Sequence, residues 1–237
     1  MSSKISGRIG VPTLFVFIVL GMLFGSDGVI KIAFDNYEIA EQICSVALIF
    51  IMFYGGFGTR WSEARPVAGK SVLLSSVGVV LTAVLTGLFC YFVLNMDFLE
   101  GMLIGSVLGS TDAASVFSIL RSRKLNLKYG SASMLELESG SNDPFSYMMT
   151  IIVLTAMSGT MGVGQIAGML ASQLLFGLLV GAGVAFAASR FLNRYQFYGE
   201  GFDTIFIFAV AIISYAFSSL IGGNGYLSTY LTGIILG

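Results

Sequence analysis

PFSYMMTIIVLTAMSGTMGVGQIAGMLASQLLFGLLVGAGVAFAAS, residues 144–189, contains no Lys, Arg, Asp or Glu. A membrane-spanning helix needs about 20 predominantly apolar residues, so this stretch is long enough for more than one span. A second uncharged stretch follows Asp203. Continuous apolar runs with interior glycines favour helices, because the strands of a membrane barrel alternate apolar and polar residues. The sequence therefore predicts an all-α, polytopic membrane protein.

The composition of the whole chain supports this fold class. The 237 residues are 56% hydrophobic and 11% charged, with a mean hydropathy of +0.89, which excludes an ordinary soluble domain. There is no histidine, so a proton carrier must be Asp, Glu, Lys or Tyr. No basic run is long enough to predict a nucleic-acid partner. Cys44 and Cys90 lie in apolar segments and are interpreted as packing residues.

Hydropathy and loop residues divide the chain into eight predicted membrane segments: 9–25, 37–58, 67–94, 98–120, 129–158, 163–189, 202–222 and 225–237. All basic residues except Lys31 fall in every second connection, at Lys4, Arg8, Arg60, Arg65, Lys70, Arg121, Arg123, Lys124, Lys128, Arg190 and Arg194. By the positive-inside rule, this alternation predicts a cytoplasmic N-terminus.

The last segment is short for a membrane span. Residues 225–237 would extend only about 20 Å as a helix, against a hydrocarbon core of about 30 Å. We therefore expect residues 1–237 to form a partial membrane transport domain with a truncated final helix and no soluble domain.

Two aspartates, Asp112 and Asp143, lie near the middle of oppositely directed segments and so reach a similar depth. A carboxylate at membrane depth is unfavourable by several kcal/mol unless it is protonated, paired or bound to a cation. The weak helix formers of Gly109-Ser110-Thr111-Asp112 predict an unwound stretch, a usual setting for a transporter ion site. We interpret the aspartates as a site where a proton and a cation compete. The alternative is a buried pair with structural hydrogen bonds.

Helical spacing places further polar residues around Asp143. Ser139 lies four residues before Asp143 and could offer it a hydroxyl, while Glu138 lies four residues before Asn142. Pro144 removes the helical partner of the Gly140 carbonyl, which either frees that oxygen for a ligand or only kinks the helix. No basic residue obviously reaches Glu138, so we expect its partner to lie outside the chain.

Small residues recur at a spacing of four along the fourth segment. This stripe permits close approach of a neighbouring helix and predicts a central position in the bundle, although ordinary helix packing explains it equally well. Its members are Gly101, Gly105, Gly109 and Ala113.

At these residues the chain resembles the NhaP branch of the monovalent cation/proton antiporters. Thr111-Asp112 is similar to the unwound-helix motif of the family, and Glu138-Ser139 with Asn142-Asp143 to its next helix. The sequence from Gly105 to Pro144 resembles that of the potassium/proton members of the family. Related proteins often carry an acid where this chain has Tyr54, which either donates a hydroxyl hydrogen bond or packs as an aromatic.

The resemblance implies roles for the matched residues. Asp143 and Asp112 would bind the cation or proton, and the Thr111 carbonyl and Ser139 would assist. Asn142 would position the helices. Glu138 would pair with an arginine on a later helix. It also implies an antiporter bundle of inverted repeats, incomplete in this chain, that forms a homodimer in a bacterial inner membrane.

We therefore expect a secondary antiporter, not an enzyme, that exchanges K⁺ or Na⁺ for H⁺ by alternating access at a shared carboxylate site. Its partners would be membrane lipid and the transported ions, with no cofactor. One alternative is an ion-sensing or channel-like module, in which the acids detect or gate ions without coupled exchange. Another is a non-transporting fragment that needs a missing half.

Overall fold

The computed structural model describes residues 13–112, 115–116, 120, 127–194 and 202–237. Every regular element within these ranges is a helix, as the sequence predicts. The chain divides into two compact units, Met1–Val46 and Ala47–Gly237.

The helices follow the predicted segments closely, and α3 is a short addition. Their bounds are α1 Thr13–Phe24, α2 Tyr37–Phe57, α3 Trp61–Ala64, α4 Ala68–Val93, α5 Phe98–Leu108, α6 Ser131–Ser158, α7 Val163–Arg194, α8 Phe202–Leu220 and α9 Gly225–Leu236. Among these, α2, α4 and α7 are long and apolar enough to cross a membrane by themselves. In the fourth segment the helix ends at Leu108, directly before the Gly109-Ser110-Thr111-Asp112 stretch that the sequence predicts to be unwound.

The first unit contains α1, a returning loop and the beginning of α2. The loop folds back on α1, because the backbone N–H of Ile30 donates to the carbonyl of Leu23 at 3.1 Å. The side chain of Asn36 accepts a hydrogen bond from the N–H of Ile39 at 3.0 Å and so satisfies one unpaired donor at the start of α2.

Glycines allow close packing between the helices of the second unit. A Cβ atom at Gly105 of α5 would lie 2.5 Å from the carbonyl oxygen of Ala83 in α4, and one at Gly101 would lie 2.9 Å from that of Gly87. These contacts confirm the close approach predicted from the stripe, whose last member, Ala113, lies outside the described residues. On α7, Gly181 approaches α9 similarly, 2.6 Å from the carbonyl oxygen of Ser228.

Hydroxyl groups link the helices across the interior of this unit. The Ser106 hydroxyl lies 3.1 Å from that of Thr150, joining α5 to α6. Ser214 of α8 makes 2.8 Å contacts with the hydroxyls of Ser228 and Thr232 on α9. Large apolar side chains point outward instead, among them Leu73, Leu81, Leu85, Phe92, Leu179 and Phe186. This arrangement, with small and polar residues inside and apolar residues outside, is typical of a helical bundle surrounded by lipid.

The close approach at Gly105 predicts that Gly105→Ala lowers stability, because the new methyl group would overlap the α4 backbone. Overpacking of this kind costs about 1–3 kcal/mol. Gly78→Ala on α4 is the matched control, since no described atom lies within 4 Å of its Cβ position. The control should be neutral or stabilising by up to about 1 kcal/mol, as alanine is the better helix former. Thermal unfolding in detergent compares the two, and equal effects would contradict the packing account.

Candidate cation site

The site begins at the break that follows α5. Residues 109–112 are not helical, whereas residues 115, 116 and 120 are helical again. Asp112 caps the segment beyond the break, because its carboxylate accepts from the N–H of Ser115 at 3.1 Å and from the Ser115 hydroxyl. Its backbone carbonyl also accepts from the N–H of Val116 at 3.1 Å. Serine, threonine and aspartate compete for backbone hydrogen bonds, so the sequence favours a break here. The predicted unwound stretch is confirmed.

Side chains of α6 bond to the Thr111 hydroxyl of the broken segment. The amide nitrogen of Asn142 donates to the Thr111 hydroxyl at 2.6 Å and to the Glu138 carboxylate at 3.2 Å. The Ser139 hydroxyl lies 2.9 Å from that of Thr111. Ser139 and Asn142 are each only 1% exposed, whereas Glu138 and Asp143 are half-buried. These contacts fix the break against one face of α6.

The hydroxyl that reaches Asp143 belongs to Ser110. Its Oγ donates to Oδ1 of Asp143 and lies 3.4 Å from both the Asn142 amide oxygen and the Thr111 carbonyl oxygen. This differs from the prediction that Ser139 supplies the hydroxyl, because Ser139 is engaged with Thr111. Sequence reasoning did not single out Ser110. The sequence feature that could have identified Ser110 is its position next to Thr111 in the run of weak helix formers.

Asp112 lies at the edge of this network. Its side-chain hydrogen bonds are with Ser115, and it is exposed at the surface of the described chain. Asp112 follows Thr111 directly and Glu138 accepts from Asn142, so two further carboxylates belong to the segments that hold Asp143. The site thus concentrates negative charge beside hydroxyl oxygens. Such a site attracts a cation or a proton.

Glu138 has a hydrogen-bond partner inside the chain, Asn142. The sequence predicts a partner outside the chain. A neutral amide satisfies the carboxylate oxygen but does not balance its charge, so a cationic partner on another segment stays a prediction.

The helix continues through Pro144, which is buried. Gly140 packs against α9, since a Cβ atom there would lie 2.6 Å from the Tyr230 hydroxyl oxygen. The Pro144 carbonyl accepts a hydrogen bond from the side-chain amide of Asn224 at 3.2 Å. Asn224 is a further residue that the sequence analysis did not place at the site.

Tyr54 lies on α2 and is 64% exposed. Its neighbours Met52 and Phe53 are buried at 0% and 4%. The aromatic ring therefore lies on the outer face of α2, away from the packed interior of the unit.

The fold and the site define a helical membrane protein with a carboxylate held beside a broken helix. A family model described as the transmembrane sodium/hydrogen exchanger matches residues 1–237. The chain belongs to this sodium/hydrogen exchanger family.

Individual relatives agree with this assignment. A K⁺/H⁺ antiporter NhaP2 of Shewanella sp. (strain ANA-3) is 35% identical over 99% of the chain, and a K⁺/H⁺ antiporter NhaP of Alkalimonas amylolytica is 37% identical over all of it. The chain spans 41% of the length of each. The fold matches the sodium proton antiporter MjNhaP1 of Methanocaldococcus jannaschii with a TM-score of 0.82 and 23% identity, covering 99% of this chain and 57% of that one. The resemblance drawn from the motifs is confirmed.

Asn142→Ala should lower stability, because it removes the amide that serves both Thr111 and Glu138. A hydrogen bond contributes about 0.5–1.5 kcal/mol to stability, and a bond to a charged group about 1.5–3 kcal/mol. Chemical unfolding in detergent measures the change. Ser141→Ala, at the adjacent buried position, is the control and should cost clearly less. An equal loss in both variants would contradict the bridging role of Asn142.

Proposed function

We propose that residues 1–237 carry the cation- and proton-binding part of a secondary antiporter that exchanges K⁺ or Na⁺ for H⁺. The observation that carries this proposal is the Asp143 carboxylate, held by the Ser110 hydroxyl at a helix break inside an apolar bundle. A half-buried carboxylate beside neutral oxygen donors accepts either a proton or an alkali cation. Membership of the exchanger family supports the same conclusion.

The network explains how one site serves two ions. A proton on Asp143 neutralises its charge, whereas loss of that proton leaves a carboxylate ready for a cation. The hydroxyls of Ser110, Thr111 and Ser139 present further oxygen ligands, since each can turn its proton away from the site. Asn142 holds Thr111 and Glu138 in both states because its amide does not titrate.

Charge balance follows from the number of acids that change state. If Asp143 alternates between a proton and a monovalent cation while Asp112 keeps one charge state, each cycle moves no net charge. Alternating access at the broken helix would then couple the two ion flows.

The proposal also concerns which cation, K⁺ or Na⁺, is exchanged. The relatives at 35% and 37% identity are named K⁺/H⁺ antiporters, which supports K⁺, whereas the matched structure is named a sodium proton antiporter. Selectivity between K⁺ and Na⁺ depends on the number of oxygen ligands and the size of the cavity, and not on the acids themselves. Exchange should therefore be assayed with both ions.

The proposal also includes the setting of the protein. We place it in the cell membrane as a multi-pass homodimer with a cytoplasmic N-terminus. The basic residues in alternate connections support this orientation. Mass measurement of the detergent-solubilised protein tests the dimer, and labelling of single cysteines from each side tests the orientation.

Asp143→Asn should abolish exchange of K⁺ or Na⁺ for H⁺ in proteoliposomes that contain the full-length protein, because an amide neither titrates nor carries charge. Dequenching of a pH-sensitive dye on cation addition measures this. The control is Asp97→Asn, which changes an exposed cap of α5 and keeps its capping oxygen. Near-normal exchange with Asp143→Asn would exclude its role.

Asp112→Asn should also reduce exchange strongly, while membrane insertion and unfolding temperature stay close to those of the unmodified protein. Asparagine caps a helix about as well as aspartate, so the substitution removes the charge and keeps the structural bond to Ser115. Comparing exchange rate with unfolding temperature separates the two roles. Normal exchange would assign Asp112 to capping alone.

The channel-like and sensor alternatives differ from the antiporter in coupling. An outward K⁺ or Na⁺ gradient should drive protons inward against their own gradient only in an antiporter. Cation flux that ignores an opposed proton gradient would favour a channel. A protein that binds the ions but transports neither would favour the sensor or the non-transporting fragment.

A further inference from the structure

Asn224 uses its backbone and side chain to join three helices. It is 1% exposed and caps α9, where its Oδ1 accepts from the N–H of Leu227 at 3.0 Å. Its backbone N–H donates to the carbonyl of Gln173 in α7 at 2.9 Å. Its side-chain nitrogen donates to the carbonyl of Pro144 in α6 at 3.2 Å. One buried residue thus connects α6, α7 and α9 by hydrogen bonds.

The contact falls where α6 is weakest. Pro144 has no N–H, so the turn that ends with Asp143 lacks one of its own helical hydrogen bonds. Next to that turn, α9 packs its aromatic residues against α6. The rings of Tyr226 and Tyr147 meet edge to face with centroids 5.1 Å apart, and Tyr230 packs on Gly140. Support for this turn therefore comes from α9 as well as from α6 itself.

We propose that Asn224 is a positioning residue for Asp143, an inference that rests on the antiporter function proposed above. The Pro144 carbonyl belongs to the residue directly after Asp143. The hydrogen bond from the Asn224 amide therefore fixes the position of this part of the α6 backbone relative to α7 and α9. The position of this backbone decides whether the Asp143 carboxylate can accept a hydrogen bond from Ser110 on the broken segment. Asn224 acts on the cation through Asp143 and touches no ion itself.

The test replaces the donor and keeps the cap. Asn224→Thr keeps a hydroxyl oxygen that can cap α9 but removes the N–H that reaches Pro144. We expect the apparent KM for K⁺ or Na⁺ to rise about threefold to tenfold, as for the loss of one buried hydrogen bond, with little change in maximal rate. Asn224→Ser is the second variant. It also caps a helix but is too short to reach Pro144, and it should give the same rise.

Thr229→Val is the matched control on the same helix. Thr229 is fully buried, and its hydroxyl bonds to Gly225 within α9 and to Ala211 in α8, not to α6. We expect this variant to lower the unfolding temperature without changing the KM. A KM rise as large as that of the Asn224 variants would overturn the proposal, since any loosening of α9 would then suffice.

The remaining outcomes also decide the matter. An unchanged KM in both Asn224 variants overturns the positioning role and leaves the antiporter function standing. Failure of both variants to fold, while Thr229→Val folds, would make Asn224 a structural residue and also overturn the proposal. Absence of exchange in the unmodified full-length protein would instead refute the proposed function, on which this inference rests.

Discussion

The hydrogen bonds between the broken segment and α6 are the constraint on which the site depends. Asn142 and Ser139 bond to the Thr111 hydroxyl, and Asp143 accepts from the Ser110 hydroxyl, so the side chains of the broken segment are paired with those of α6. The same polar groups that hold the broken segment against α6 also line the candidate cation site. Structure and proposed function therefore draw on one set of side chains.

Close packing by small residues holds this site in place. Gly101 and Gly105 bring α5 against α4, and Ser146 and Thr150 of α6 bond to Ser106 on α5. With no hydrophobic driving force between helices in lipid, such close contacts and interhelical hydrogen bonds must stabilise the bundle. On the other side of α6, Asn224 and the tyrosines of α9 support the turn around Asp143. The carboxylate is thus positioned by several helices at once.

Much of this arrangement could be predicted from the sequence because its signals are local. Apolar runs give the helices, weak helix formers give the break at 109–112, and a spacing of four pairs Glu138 with Asn142. The contacts of Ser110 with Asp143 and of Asn224 with Pro144 could not be read in this way. They join residues 33 and 80 positions apart, and only the folded helices decide which hydroxyl or amide comes within reach. Ser139 illustrates the point, since its spacing suits Asp143 but its hydroxyl bonds to Thr111.

The central claim is that a proton and an alkali cation compete for Asp143. Proton release on cation binding tests it most directly, because a carboxylate must lose its proton before it binds a metal ion. Full-length protein in weakly buffered detergent solution would be titrated with K⁺ and with Na⁺ while a pH dye is followed. We expect proton release in step with cation binding, lost in Asp143→Asn. Cation binding that releases no protons, or release that persists in that variant, would contradict the account.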